Sequence, residues 1–231
     1  MDDGKARPLG IADYARAARE SVPLSPTELL GTLREALAPW EPGTPFWIFA
    51  YGSLMWNPKF AFDAKHVATI RGYHRSFRLW SRVNRGTPDN PGLVLTLECG
   101  GSCRGLVYRI APDLVQEQMQ LIWKREMLYG SYRPKWLNCV VGDEMIRALC
   151  FTVNRRCTGY TGAIPEEVMV EAIASAAGRY GPACEYLFRT TETLHEHGIR
   201  DARVEHLAAM VRQRIHAALH HRGTSTSQSS P

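Results

Sequence analysis

The sequence predicts a single mixed α+β domain in which a β-sheet is interrupted by one helix and then covered by others. Two observations carry this prediction. Between residues 46 and 153, short runs rich in aromatic and aliphatic residues are bounded by turns that contain Gly and Pro, as strands are. After residue 165, three helical segments follow, and the last has its apolar residues on one face. At 231 residues, the chain is long enough to bury a substantial core.

The first 43 residues are predicted to form an N-terminal extension, to which the sequence assigns no role. Helical stretches at 11–20 and 26–38 are separated by prolines from each other and from the body of the chain. The domain itself is predicted to cover residues 44–219. The tail at 220–231 is rich in Ser and Thr, and we expect it to be disordered.

Residues 46–56 open the domain and are its most informative segment. Their aromatic and apolar side chains predict a strand buried on both faces, and Gly52 and Ser53 predict a tight corner at its end. Backbone N–H groups at such a corner can lack partners in the sheet. In a concave site they bind anions or a carbonyl oxygen that gains negative charge. The alternative is a core strand followed by an ordinary turn.

The remaining elements follow from the same patterns. Strands are predicted at 67–80, 93–97, 105–110, 136–141 and 146–153, and helices at 112–129, 165–178, 184–196 and 201–219. The Gly- and Pro-rich segment 85–92 separates the first two of these strands. Gly100 and Gly101 predict a hairpin turn between the second and the third. Pro112 suits the first position of its helix.

The helix from residue 112 carries a carboxylate on its apolar face. That face is formed by Val115, Met119 and Ile122. The same spacing continues to Glu126, and because burial of an ionised glutamate is costly, this residue must be paired or its pKa must rise. A carboxylate poised in this way suits a general base. The alternative, which the helical pattern favours equally, is a structural glutamate paired with Arg125 or Arg133.

The net charge of +5 comes from scattered basic residues. Their densest group lies on the strand at 67–80 and just after it, and comprises Arg71, Arg75, Arg78, Arg82 and Arg85. Because aromatic residues alternate with these arginines, the group can bind single-stranded nucleic acid. The favoured alternative is a strand whose arginines face solvent or an anionic small molecule, so no nucleic-acid partner is expected.

The six cysteines contain no CxxC pair and several lie in apolar runs, so we expect buried free thiols in a reducing cytoplasm. A zinc site built from Cys99, Cys103 and either His195 or His197 is an alternative that no paired ligand motif supports. No apolar run reaches about 18 residues, and the N-terminus lacks an apolar signal segment. We therefore expect a cytoplasmic protein without a membrane partner.

Three ordered segments resemble the ChaC proteins, the glutathione-specific γ-glutamylcyclotransferases. They are residues 49–58 (FAYGSLMWNP), 85–92 (RGTPDNPG) and 123–132 (WKREMLYGSY). Shorter matches follow at 160–162 and 185–188, and the resemblance covers roughly residues 46–215. Each segment alone is unspecific, whereas the ordered set is specific.

The resemblance implies the γ-glutamylcyclotransferase-like fold, a small closed mixed β-sheet or barrel decorated with helices. It also implies conversion of glutathione to 5-oxoproline and cysteinylglycine, without a metal or organic cofactor. Glu126 is then the proton acceptor. The implied substrate-binding loop is Ala50, Tyr51, Gly52, Ser53, Leu54 and Met55. Tyr132 can hydrogen-bond the substrate or be a half-buried core residue, and Arg78 or Arg85 can hold a substrate carboxylate.

Several alternatives stay open at this point. The substrate can be another γ-glutamyl peptide or amine, and the same pocket can serve a non-catalytic regulator linked to cation transport. A serine hydrolase built on Ser53 is disfavoured because the Gly-x-Ser-x-Gly turn is missing. The sequence does not distinguish a monomer from a dimer.

Overall fold

A closed five-stranded barrel lies at the centre of the protein, whose computed structural model describes residues 22–225. The strands are β1 (Phe46–Ala50), β2 (Ala64–Ser81), β3 (Gly92–Ile110), β4 (Tyr132–Val141) and β5 (Glu144–Val153). Around the barrel they follow the order β1-β3-β2-β4-β5, and β1 closes it by pairing in parallel with β5. The other pairs are antiparallel. The predicted α+β class and the closed mixed sheet are confirmed.

Helices cover the barrel. They are α1 (Pro26–Leu37), α2 (Ser53–Trp56), α3 (Val115–Glu126), α4 (Glu166–Ser175), α5 (Ala183–Glu196) and α6 (Ala202–Ser225). A 3₁₀ turn leads into α3, and a two-stranded ribbon, β6 (Ala177–Gly178) and β7 (Gly181–Pro182), joins α4 to α5. The helices predicted from residue 112 onward are confirmed, although α3 ends at Glu126 and α6 continues to Ser225. The helix predicted at 11–20 lies outside the described residues. Within 22–225, no helix combines the length and apolarity needed to cross a bilayer.

Helix α1, in the segment predicted as an extension, begins at a capping box and packs on the rest of the fold. The Ser25 hydroxyl accepts a hydrogen bond from the backbone N–H of Glu28, whose carboxylate accepts one from the N–H of Ser25. Leu33 of this helix belongs to the buried core. The indole N–H of Trp123 in α3 donates to the hydroxyl of Thr32 at 2.9 Å. The described part of the predicted extension therefore packs directly against α3.

The hairpin predicted at Gly100 and Gly101 is wrong. Strand β3 continues through both glycines and pairs with β2 on either side of them, with a register shift between Arg71 and Tyr73. Both glycines have positive φ, at +100° and +74°. The two residues therefore form an irregularity within one long strand, of the kind that lets a barrel wall bend.

The strands of the barrel carry an apolar core. Strand β1 contributes Phe46, Ile48 and Phe49, which are all fully buried. Three cysteines also belong to this core, and they are Cys103, Cys139 and Cys150. The prediction of buried free thiols is confirmed for these three, and burial raises the pKa of Cys103 to about 11.

Candidate active site

A small cavity lies beside the turn from β1 into α2. It is lined by all but one of the predicted site residues, Ala50, Tyr51, Gly52, Ser53, Leu54, Glu126 and Tyr132. Its remaining walls come from Phe49, Leu95, Phe151 and Tyr186. The turn and Glu126, which are far apart in the sequence, therefore face one small cavity.

The turn lies against the cavity, which its residues 50–54 line. Strand β1 ends at Ala50, and the short helix α2 begins three residues later at Ser53. The N–H of Met55 donates to the carbonyl of Gly52 at 2.9 Å, which closes the turn. Because the first N–H groups of a helix have no partner within it, those at the start of α2 are available to an acceptor in the cavity.

Gly52 is required at this turn because a side chain would not fit. A Cβ atom at this position would lie 2.8 Å from the hydroxyl oxygen of Tyr186 and 3.7 Å from the side chain of Leu95. Glycine therefore lets the backbone approach the wall of the cavity closely. Tyr186 was matched only as part of a family segment, and no pattern in the sequence assigned it to this site.

Glu126 lies at the last residue of α3, and its side chain is 13% exposed. Its Oε1 atom is 3.0 Å from Nε of Arg125. Burial raises the pKa of Glu126, and the adjacent guanidinium opposes that rise without cancelling it. The helical pattern left two interpretations open, a carboxylate with a raised pKa and a carboxylate paired with an arginine. Glu126 shows both features, since its pKa is raised and it pairs with Arg125. A carboxylate with a raised pKa is suited to take up a proton and to return it.

Arg125 connects Glu126 to the turn. One terminal nitrogen of its guanidinium donates to the hydroxyl of Ser53 at 2.8 Å, and the other donates to the carbonyl of Asn57. A planar guanidinium holds several acceptors in fixed directions, which a lysine does not. One side chain therefore holds the end of α3 and the start of α2 in register.

Three phenols complete the walls of the cavity. Tyr51 donates to the carbonyl of Phe151 at 2.9 Å, and Tyr132 donates to the carbonyl of Leu95 at 3.2 Å. The hydroxyl of Tyr186 accepts from the N–H of Leu95 at 3.4 Å, so its own O–H can donate to a group in the cavity. Burial raises the pKa of all three phenols, to about 12 for Tyr186, and they are neutral at physiological pH.

Met55 is the predicted loop residue that does not line the cavity. Its side chain is buried, and its carbonyl accepts from the hydroxyl of Tyr108 at 3.0 Å. Arg85 and Arg78, which were predicted to hold a substrate carboxylate, do not line the cavity either. Arg85 is nearly buried and donates to Glu185 at 3.1 Å, whereas Arg78 donates to the carbonyl of Gly162.

The expectation that the arginine group faces solvent or a small anion is wrong for Arg75 and Arg85. Their side chains are 1% and 8% exposed, and both donate to protein oxygens. The alternative of a zinc site also gains no support, because Cys99 is exposed whereas Cys103 is buried. Among the described residues, no three His, Cys, Asp or Glu side chains are grouped so that they could hold a metal ion.

Comparison with known proteins gives a consistent picture. The family model described as ChaC-like protein matches residues 46–214. The glutathione-specific γ-glutamylcyclotransferase of Escherichia coli (strain K12) is 34% identical over 198 residues, which are 85% of this chain and 86% of that protein. The glutathione-specific γ-glutamylcyclotransferase 1 of Rattus norvegicus is 34% identical over 194 residues, with 81% and 87% of the two chains covered.

Among solved structures, the selenomethionine-labelled γ-glutamylcyclotransferase specific to glutathione from yeast has a TM-score of 0.69 at 21% identity. The match covers 74% of this chain and 96% of that one. This likeness confirms the fold that the sequence predicts.

Proposed function

The chain belongs to the ChaC-like protein family, and from this membership we propose that it is a glutathione-specific γ-glutamylcyclotransferase. In this reaction the α-amine of the γ-glutamyl group attacks its own γ-carbonyl carbon. A new C–N bond closes the five-membered lactam of 5-oxoproline, and the amide bond to cysteine breaks. The electron pair of that bond leaves with the nitrogen of cysteinylglycine. The α-ammonium group loses two protons, one before attack and one after it, to become the lactam N–H, and the leaving nitrogen takes up two protons to become the ammonium group of cysteinylglycine.

The observation that carries the proposal is that a backbone turn and a nearly buried carboxylate face one small cavity. Because the nucleophile and the carbonyl belong to the same γ-glutamyl group, the protein mainly has to hold that group curled. A narrow cavity with rigid aromatic walls supports this task.

Glu126 is proposed to move the proton. The substrate arrives with a protonated α-amine, which cannot attack a carbonyl. The carboxylate of Glu126 takes that proton and then delivers it to the leaving nitrogen, so one residue acts first as base and then as acid. Its raised pKa supports both steps, because a carboxyl group whose pKa lies closer to neutrality is a better base than an ordinary one.

The turn is proposed to stabilise the oxygen of the attacked carbonyl. Attack places negative charge on this oxygen, and backbone N–H groups of residues 52–54 can donate to it. One such donor is typically worth about 3 to 4 kcal/mol of transition-state stabilisation. The phenols of Tyr132 and Tyr186 line the same cavity and are neutral, so they place no negative charge near the attacked oxygen.

The cytoplasm is the compartment that we propose for this reaction. The described cysteines are free thiols, as expected where glutathione keeps the environment reducing.

The proposal is tested by incubating the purified protein with glutathione and quantifying both products. We expect 5-oxoproline and cysteinylglycine in equal amounts, without added metal or cofactor. Parallel incubations with γ-glutamyl-alanine and γ-glutamyl-lysine test the substrate class. Turnover of these compounds but not of glutathione would support γ-glutamyl cyclisation and reject the specificity for glutathione. If none of the three compounds is turned over, the proposed function is rejected.

A further inference from the structure

A buried arginine lies behind the turn on the side away from the cavity. Arg75, on β2, has a side chain that is 1% exposed and does not line the cavity. Its Nε donates to the carbonyl of Tyr51 at 2.6 Å, one terminal nitrogen donates to Asp201 at 2.9 Å, and the other donates to the carbonyl of Arg104. Met55, the loop residue that is absent from the cavity, has its sulfur 3.9 Å from the same guanidinium. Arg75 therefore contacts both ends of the turn from behind.

The hydrogen bond to Tyr51 determines which way the next N–H points. The peptide between Tyr51 and Gly52 is trans, and in a trans peptide the C=O and the N–H point in opposite directions. Because the Tyr51 carbonyl is directed at Arg75, which does not line the cavity, the N–H of Gly52 points away from Arg75. Tyr51 and Gly52 both line the cavity, so this N–H is directed to the cavity side.

This peptide needs such a restraint because one of its two residues is glycine. Gly52 has access to a wide range of backbone conformations, so rotation of the 51–52 peptide is opposed less than it would be elsewhere. A rotated peptide would present a carbonyl oxygen to the cavity in place of the N–H. That oxygen would repel the negative charge that the N–H is meant to stabilise.

We infer that Arg75 is a positioning residue that holds the 51–52 peptide in the orientation in which the Gly52 N–H can donate to the attacked carbonyl oxygen. This inference rests on the proposed cyclisation. It assigns the orientation of the 51–52 peptide to a residue that lies outside the turn. Asp201 supports Arg75 in this role by neutralising its charge. It also accepts a hydrogen bond from the N–H of Val204 in α6, so the restraint is anchored in the C-terminal helix.

The test uses Arg75→Lys in the full-length protein. A lysine keeps the positive charge beside Asp201, but one ammonium group cannot serve three acceptors in the directions that a guanidinium does. We expect kcat for 5-oxoproline release to fall by about 10- to 100-fold, approaching the loss seen when an oxyanion donor is removed. The dissociation constant of glutathione, measured by calorimetry in a Glu126→Gln background, should change by less than about threefold, because the bond is needed mainly in the transition state.

Arg109→Lys is the matched control. Arg109 also pairs with a carboxylate, that of Asp63 at 2.7 Å, but the pair is exposed and does not line the cavity. We expect this variant to keep the wild-type kcat. A loss of activity shared by both arginine variants would indicate a general effect on the barrel and would contradict the positioning role.

Two results would overturn the inference. One is a folded Arg75→Lys protein with the wild-type kcat, and the other is a loss of glutathione binding as large as the loss of kcat. If Arg75→Lys does not fold, Asp201→Asn serves as the test in its place. This variant should fold, because Asp201 is 19% exposed and asparagine caps helices as well as aspartate does. We expect this variant to lose kcat severalfold at unchanged glutathione affinity, and a wild-type kcat would reject the inference. An inactive wild-type protein would instead reject the proposed function.

Discussion

The two sides of the cavity are built from different parts of the chain. The turn at residues 50–54 offers backbone N–H groups, whereas the end of α3 offers one side chain, Glu126. The turn is held from several directions, by the pairing of β1 with β3, by the close approach of Gly52 to Tyr186 and by Arg75. The carboxylate is held mainly by its neighbour, Arg125.

This difference determines how each side can fail. Backbone groups are present whatever the side chains are, so a substitution in the turn acts only if it moves the backbone. The chemistry of Glu126 belongs to a single carboxylate and is lost with it, even if nothing moves. We therefore expect the carboxylate side to be sensitive to small chemical changes, and the turn to be sensitive to changes of volume.

Glu126→Gln should have the largest effect. Glutamine has nearly the same shape, but it can neither accept the ammonium proton nor return it. We expect kcat/KM for 5-oxoproline release to fall by about 10²- to 10⁴-fold while the protein stays folded. Glu117→Gln is the control, since Glu117 is exposed at the start of the same helix and its loss should leave turnover unchanged. Full activity of the Glu126 variant would place the base elsewhere.

Gly52→Ala tests the volume constraint of the turn. The added Cβ would lie 2.8 Å from the Tyr186 hydroxyl, so either the phenol or the turn must shift. We expect kcat/KM to fall by about 10- to 100-fold, as small displacements of reacting groups do. Tyr186→Phe removes the oxygen that the new methyl group meets, so the double variant should be more active than Gly52→Ala alone.

Gly31→Ala is the matched control for this substitution. Gly31 lies in α1, where a Cβ would meet nothing within 4 Å. Alanine favours a helix over glycine by about 1 kcal/mol, so this variant should unfold at a slightly higher temperature with unchanged activity. If the double variant with Tyr186→Phe showed no rescue, the steric explanation of the Gly52 effect would be wrong.

These two substitutions concern the residues that sequence reasoning located best. Glu126 was predictable because helical spacing carries it onto an apolar face, where a carboxylate is conspicuous. Gly52 was predictable because a glycine directly after a buried strand marks a turn. Both signals are local, so they survive without knowledge of the rest of the fold.

The contacts made across the barrel could not be predicted in this way. Arg75 was expected to face solvent because a strand pattern shows alternation but does not show which face a closed barrel buries. Tyr186 reaches the site from α5, and nothing near it in the sequence indicates that. Gly100 and Gly101 were misassigned because a hairpin and an irregular strand both accept glycines with positive φ.

Arg125→Met tests how strongly the carboxylate side depends on its neighbour. The guanidinium lowers the pKa of Glu126 against the rise caused by burial. Its removal leaves burial unopposed, so the pKa rises further and the carboxylate is protonated up to a higher pH. The acidic limb of the kcat/KM profile should therefore move to higher pH. Arg125→Lys keeps the charge and should move the limb less, whereas an unmoved limb in Arg125→Met would show that this pair does not set the pKa.

Ser53→Ala should have the smallest effect and returns the comparison to the turn. The Ser53 hydroxyl accepts from Arg125 at 2.8 Å, and the loss of such a hydrogen bond typically costs about 1 kcal/mol, or a few-fold in kcat/KM. The backbone N–H groups stay in place, because alanine adds no volume. A loss of activity as large as that of Glu126→Gln would instead make the hydroxyl a nucleophile and revive the serine-hydrolase alternative. A few-fold loss would indicate that Ser53 contributes mainly through its backbone N–H. This is what we expect of the turn, which is proposed to act through backbone groups.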